Sequence, residues 1–242
     1  MNNLATFYDR LGRPVNDLAL QRRQQDVLRD VKWKTFLKRA RKFKYIPFVD
    51  FVFAAGSMAL GNVRDTSDFD VIVGCRYGRI FTARFFCIFS FGIFNQRRKK
   101  ISHREEAGDK ICLNHFVTER SMRLGTPYNI YWQELYKNLV PLYGKDVLIK
   151  KFLDANDWVG ESRNYLGDRR HFSGNSYFKK FAEAVLDGRL GEIIESAFRT
   201  LQLKRIHHNL ESEKTGFEPR LRYDDEELEF HPDTKRIHEL VG

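Results

Sequence analysis

The sequence is poor in cysteine and has no pattern typical of secreted proteins. Its three cysteines, Cys75, Cys87 and Cys112, form no CxxC pair and lie in or beside apolar runs. We therefore expect small, buried side chains with free thiols, rather than disulfides or zinc ligands. The first residues also lack the charged and then apolar segments of a signal peptide, so we expect a cytoplasmic protein.

The sequence also has no apolar run long enough to cross a bilayer. Its most apolar stretch, residues 80–94, is interrupted by Arg84 and falls short of the roughly 20 residues that a membrane-spanning helix needs. Gly78 and Gly92 bracket this stretch. We interpret it as a buried helix that crosses between two strands, and we predict no membrane contact.

Positive charge and aromatic side chains are in excess. The 242 residues include 42 Lys and Arg against 32 Asp and Glu, a formal net charge of +10, together with 21 Phe and 10 Tyr. A hydrophobic share of 42% is enough for a packed core. The basic excess favours anionic partners such as RNA or another polyanion. Many cations fall in a predicted helix over residues 16–44, for which a polyanion contact and a solvated helix face are equal alternatives.

The most informative stretch is Phe51–Cys75, which reads FVFAAGSMALGNVRDTSDFDVIVGC. Its apolar beginning predicts a short buried strand. Gly56 and Ser57 then begin a turn into a short helical segment that Gly61 ends. Backbone N–H groups at such a turn bind anions, and Ser57 adds a hydroxyl.

Two carboxylates flank the first residue of a second predicted strand. Side chains two apart on a strand share a face, so Asp68 and Asp70 lie side by side while Phe69 enters the core. Adjacent carboxylates repel each other unless a cation lies between them, and a divalent metal is the usual one. A phosphate-binding turn followed by a metal-binding pair is typical of proteins that handle nucleoside triphosphates. The alternative is a structural turn and a solvated pair of carboxylates.

The GS pair at 56–57, followed by SDFD at 67–70, resembles the signature of the polymerase-beta-like nucleotidyltransferase superfamily. The resemblance implies that Gly56 and Ser57 hold the triphosphate. It also implies that Asp68 and Asp70 are catalytic and bind Mg²⁺ (or Mn²⁺). The activity would be transfer of a nucleoside monophosphate from a nucleoside triphosphate to a hydroxyl acceptor.

The resemblance further implies a third carboxylate, in a later strand, that completes the metal site and acts as general base. Residues 111–117 (ICLNHFV) have strand composition, and alternation places Asn114 on the face of Cys112 and Phe116. Asn114 is the best-matching position, but an amide is no base and is a poor magnesium ligand. A catalytically degenerate nucleotide- or RNA-binding module is therefore the alternative function. Other candidate carboxylates lie in the preceding basic loop: Glu105, Glu106 and Asp109.

Several cations are candidates for phosphate contact. Arg84 is the first, and because an unpaired guanidinium in an apolar helix is unfavourable, we expect it to pair with a carboxylate such as Asp68 or Asp70. The secondary candidates are Arg79 and the cluster Arg97–Lys100. We interpret His115 as a structural strand histidine, with a proton shuttle as the alternative.

The predicted fold is α/β (α+β), with a small mixed β-sheet flanked by helices. It divides into a basic N-terminal helical segment (1–45), a nucleotidyltransferase core (46–120) and a helical C-terminal region (121–242). Within the last region we predict helices over 128–142, 147–153, 176–186 and 190–210, and a final one starting at His231. The motifs PLY (141–143), NDW (156–158) and FHP (230–232) also resemble a broader group of predicted bacterial and archaeal nucleotidyltransferase-domain proteins, a resemblance that implies no more specific function.

Overall fold

Helices surround a mixed sheet in the computed structural model, which describes residues 17–98, 107–126, 128–161, 167–211 and 220–231. The described residues form an α/β fold, as predicted. Some predicted features lie outside them: the loop carboxylates Glu105 and Glu106, the cations Lys99 and Lys100, and the residues of the last predicted helix that follow His231.

The elements are numbered in chain order. The helices are α1 (Asp17–Ala40), α2 (Gly56–Leu60), α3 (Ile80–Gly92), α4 (Ile130–Lys137), α5 (Asp146–Ala155), α6 (Tyr177–Leu186) and α7 (Arg189–Glu211). The strands are β1 (Val49–Ala54), β2 (Phe69–Cys75), β3 (Ile111–Thr118), β4 (Val140–Gly144), β5 (Arg220–Tyr223) and β6 (Glu227–His231). Short 3₁₀ helices cover Arg41–Tyr45 and Asp157–Val159.

The sheet has the strand order β4-β1-β2-β3-β6-β5. Among the described strands, β2 and β3 pair in parallel and the other neighbours pair antiparallel. Parallel neighbours need a crossover connection, and α3 lies between β2 and β3 in the chain, as predicted from its apolar composition. α3 has 13 residues, and no helix within the described ranges is long and apolar enough to cross a membrane.

The two faces of the sheet carry separate hydrophobic cores. Alternation along β2 directs Val71 and Val73 into the first core and Ile72 into the second. The first core also contains side chains from α1, α3 and α7, and the second contains side chains from α4 and α5. The three cysteines are buried free thiols, as predicted.

The C-terminal region is mostly helical over its described residues, but it also contains three strands that were not predicted. Residues 140–144 form the edge strand β4, where Leu142 and Tyr143 are buried, and the predicted end of a helix there is wrong. Proline is tolerated at Pro141 because the pairing of β4 with β1 is irregular at this point, and bulges are among the few sheet positions that accept proline. β5 and β6 extend the other side of the sheet, and His231 belongs to β6.

Candidate functional site

The turn at Gly56 lies directly against Asp70. Gly56 begins α2 with a φ of 58°, a left-handed conformation that favours glycine. A Cβ built on Gly56 would lie 2.0 Å from Oδ2 of Asp70, so any larger residue would displace that carboxylate. The preceding N–H, that of Ala55, donates to the carbonyl oxygen of Asp70 at 3.0 Å. The two halves of the predicted site are therefore in contact, and Ser57 follows in the same turn.

Asp68, Asp70 and Cys112 form one group of potential metal ligands. Their carboxylate oxygens and the Cys112 Sγ all lie within 4.8 Å of one another. Cys112 pairs with Asp70 in the parallel register of β2 and β3. Burial raises the pKa of the Cys112 thiol well above its usual range, and the negative charges of Asp70 and Asp68 raise it further. Without a metal, Cys112 is therefore a neutral thiol.

An extra residue in β3 explains why sequence alternation did not find Cys112. Asp70 pairs with Cys112, but Ile72 pairs with His115, so one residue of β2 faces two of β3. Leu113 and Phe116 consequently lie in the same core. The predicted common face for Asn114, Cys112 and Phe116 is therefore wrong. The position opposite Asp70 belongs to Cys112.

Arg98 binds the first carboxylate of the group. Its Nη1 donates to Asp68 Oδ2 at 2.8 Å, and both side chains are largely buried, 14% and 16% exposed. Arg98 belongs to the predicted cationic cluster, whose Lys99 and Lys100 lie outside the described residues. A cation therefore already neutralises Asp68, and a metal ion at this group would compete with it.

Arg84 is not near the aspartates, and the prediction that it pairs with Asp68 or Asp70 is wrong. Its Nη1 donates to Gln202 Oε1 at 2.7 Å, and its guanidinium lies over the Phe230 ring at 5.1 Å. These contacts place it in the first core, whereas Asp70 projects from the other face of β2 with Ile72. Burial lowers the pKa of Arg84 to about 10. A neutral amide oxygen and an aromatic face stabilise this cation in place of the expected carboxylate.

Two basic side chains of α1 hold the loops on either side of the site. Lys32, which is 4% exposed, donates to the carbonyl oxygens of Asp65 and Ser67 at 2.5 and 2.9 Å. Its Nζ also lies 2.8 Å from Asp109 Oδ1, and Arg39 donates to the Asp109 carbonyl oxygen. The Asp109 carboxylate, a predicted alternative ligand, is thus ion-paired with α1 instead of grouped with the aspartates.

Comparisons with known proteins identify no relative. No family model, curated protein or solved structure matches this chain. Its chemistry therefore has to be inferred from its own residues.

The donor set of the group fits a divalent cation. Two adjacent carboxylates are suitable ligands for Mg²⁺ or Mn²⁺. A sulfur at the third position suits a softer metal better than Mg²⁺, and a bound metal favours the deprotonated thiol. The group can therefore hold a metal beside the turn at Gly56, which lies against the Asp70 carboxylate.

The other predicted phosphate ligand, Arg79, lies with the junction of α6 and α7. Its guanidinium donates to the carbonyl oxygens of Gly78, at 2.9 Å, and Asp187, at 3.3 Å. Its contacts are therefore structural. Arg98 thus lies at the aspartates, whereas Arg79 and Arg84 do not.

Proposed function

We propose that this protein is a metal-dependent nucleotidyltransferase of the polymerase-beta-like type, which transfers a nucleoside monophosphate from a nucleoside triphosphate to a hydroxyl acceptor. The observation that carries the proposal is the contact between the Gly56 turn and the Asp70 carboxylate. One triphosphate can reach both a phosphate-binding turn and a metal ligand only if the two are adjacent.

Each residue of the proposed site has a separate role. The N–H groups at Gly56 and Ser57 bind the β- and γ-phosphates by local hydrogen bonds, because a helix of five residues adds little macrodipole. Asp68 and Asp70 hold the metal and so fix the α-phosphate for in-line attack. A bound Mg²⁺ or Mn²⁺ supplies neutralisation of the charge that develops on the α-phosphate. Arg84 has no part in this proposal.

A nucleotide- or RNA-binding module without turnover is the second candidate. It is favoured by Cys112, which stands where a third carboxylate would complete the group. The exposed cations Lys34, Lys38 and Arg41 on and after α1 offer contacts to RNA phosphates. Both candidates need the same turn and the same aspartates, so turnover is what separates them.

Turnover can be tested directly with the purified full chain. The protein is incubated with Mg²⁺ or Mn²⁺, each labelled nucleoside triphosphate and bulk RNA, and label incorporation and pyrophosphate release are measured. Both signals are expected for a nucleotidyltransferase that accepts RNA, and pyrophosphate release without RNA labelling indicates another acceptor. RNA binding that weakens with salt and comes with no turnover supports the module instead.

Changing Arg98 to glutamine should make metal binding tighter. The change removes a guanidinium that competes for Asp68, and a gain of about 1.4 kcal/mol corresponds to about a tenfold lower Mn²⁺ dissociation constant. Electron paramagnetic resonance of free Mn²⁺ measures this constant without any need for turnover. Arg76→Gln is the matched control, because Arg76 pairs with Glu183 and Asp187 instead. Equal affinities for the two variants would contradict the competition.

The position of a third ligand can be tested by a pair of carboxylate substitutions. Cys112→Asp places a carboxylate opposite Asp70, whereas Asn114→Asp places one at the extra residue of β3. We expect Cys112→Asp to increase Mg²⁺ affinity by about tenfold or more, since a hard oxygen replaces sulfur. Asn114→Asp should leave it within about twofold of the parent. Calorimetric titration with Mg²⁺ measures both affinities. Tighter binding by Asn114→Asp alone would show that Asn114, and not Cys112, is the residue that faces the aspartates.

A further inference from the structure

A second group of potential metal ligands lies where β3, β6 and β5 pair. His115 lies directly across from Glu229 in the antiparallel register of β3 and β6. Residues two apart on a strand share a face, so Glu227, Glu229 and His231 project together. Leu228 and Phe230 point the other way, into the first core.

The side chains of His115, Glu229 and His231 converge, with one ligand atom of each within 4.8 Å of the others. Glu229 is fully buried, and the side chains of His115 and His231 are 3% and 23% exposed. His231 therefore lies at the rim of the group, where an ion can enter from solvent.

The two oxygens of Glu229 differ in their contacts. Oε1 accepts a hydrogen bond from Arg220 Nε at 2.6 Å. Oε2 is buried and has no hydrogen-bond partner among the residues that the structure describes. A buried charged oxygen without a partner is unfavourable, and a cation is the partner that would stabilise it.

The two histidines have different neighbours, and both arrangements are compatible with metal binding. His115 Nε2 lies 3.0 Å from Glu227 Oε1, the carboxylate–histidine contact that orients many metal-bound imidazoles. Because this contact engages Nε2, an ion would be bound by Nδ1. The His231 ring stands perpendicular to that of His115, with the ring centroids 6.3 Å apart, and its Nε2 lies 3.6 Å from Glu229 Oε1. His231 is therefore close enough to share an ion with the other two residues.

We propose that His115, Glu229 and His231 bind one divalent transition-metal ion of the zinc class. Two imidazoles and one carboxylate suit Zn²⁺, Co²⁺ or Ni²⁺ better than Mg²⁺, and three ligands leave a fourth position open. Glu227 orients His115, and Arg220 holds the other oxygen of Glu229. This site is independent of the nucleotidyl transfer proposed for Asp68 and Asp70.

The competing interpretation is a closed ion-pair network. Arg220 and Arg222 pair with Glu229 and Glu227 at 2.6 and 2.9 Å, so the carboxylates are balanced without a metal. In that case His231, whose Nε2 lies 3.6 Å from Glu229 Oε1, packs at the edge of the network and binds no ion. A network of this kind predicts no specific metal binding.

The test uses the full chain carrying Asp68→Asn, Asp70→Asn and Cys112→Ser, which removes the other group of ligands. Co²⁺ alone is titrated and its visible absorption is recorded, because ligand-field bands report its coordination. We expect one equivalent to bind, with Zn²⁺ displacing it. His231→Gln should weaken binding by about a hundredfold, whereas His208→Gln, at an exposed histidine of α7, should not change it.

A second measurement keeps the test valid if a variant does not fold. In the unsubstituted chain, the imidazole ¹⁵N resonances of His115 and His231 should shift with one equivalent of Zn²⁺, and that of His208 should not. Absence of Co²⁺ binding by the folded background variant overturns the proposal. So does equal binding by the two histidine variants, or a Zn²⁺ titration that leaves both resonances unmoved. None of these outcomes bears on turnover at Asp70.

Discussion

Replacing Asp70 with asparagine is expected to reduce nucleotidyl transfer by about a thousandfold. Removal of the carboxylate takes away a metal ligand, and the loss of roughly 4 kcal/mol of transition-state stabilisation corresponds to that factor. Asn has nearly the same shape as Asp, so Gly56 keeps its close neighbour. Initial rates of pyrophosphate release with saturating Mn²⁺ give the measurement.

The control for Asp70→Asn is a carboxylate far from the site. Asp154 lies on α5 and forms an exposed ion pair with Lys150, so Asp154→Asn should keep full activity. Thermal melting checks that Asp70→Asn is folded, as we expect because the amide keeps the shape of the carboxylate. Turnover that survives Asp70→Asn in a folded protein would exclude the two-aspartate mechanism.

Replacing Gly56 with alanine is the substitution with the largest expected effect on stability. Alanine adds strain at a φ of 58° and a methyl group that would lie 2.0 Å from Asp70 Oδ2. We expect a loss of about 3 kcal/mol in the free energy of unfolding, measured by urea denaturation. Nucleotide binding should weaken as well, because the displaced carboxylate no longer faces the turn.

A substitution at Gly78 separates the effect of backbone strain from that of the contact with Asp70. Gly78 has a similar φ, 71°, but a Cβ built there meets nothing within 4 Å. Gly78→Ala therefore measures the backbone strain alone, about 1 kcal/mol. A larger loss for Gly56→Ala reports the contact with Asp70. Equal losses in the two variants would mean that the turn and the carboxylate move apart easily.

Features encoded locally could be predicted from the sequence. Val49–Ala54 and Phe69–Cys75 combine apolar strand composition with adjacent turn residues, so both strands were recognisable. The helix Ile80–Gly92 was predicted because it is apolar and too short for a membrane. The turn and the aspartate pair lie within one short stretch, and their order along the chain identified the candidate site.

Features that depend on distant pairing could not be predicted. The first residues of β4 were interpreted as the end of a helix because the burial of β4 comes from β1, a neighbour that lies far away in the sequence. The extra residue of β3, which brings Cys112 rather than Asn114 to Asp70, depends on how two strands fit together. Likewise, Arg84 donates a hydrogen bond to Gln202, which lies 118 residues away in the sequence. The residues next to Arg84 in the sequence do not indicate that its partner is an amide rather than a carboxylate.

The position of β6 in the sheet has a consequence for synthesis of the protein. β6 covers the outer edge of β3, the strand that carries Cys112 and His115, and the two strands are joined by contacts between residues 112 positions apart. On the ribosome, the backbone of β3 therefore remains an open edge until β6 has emerged. Open edges pair readily with other chains, so nascent chains that stall before Glu227 should be more prone to aggregate than chains that stall after His231.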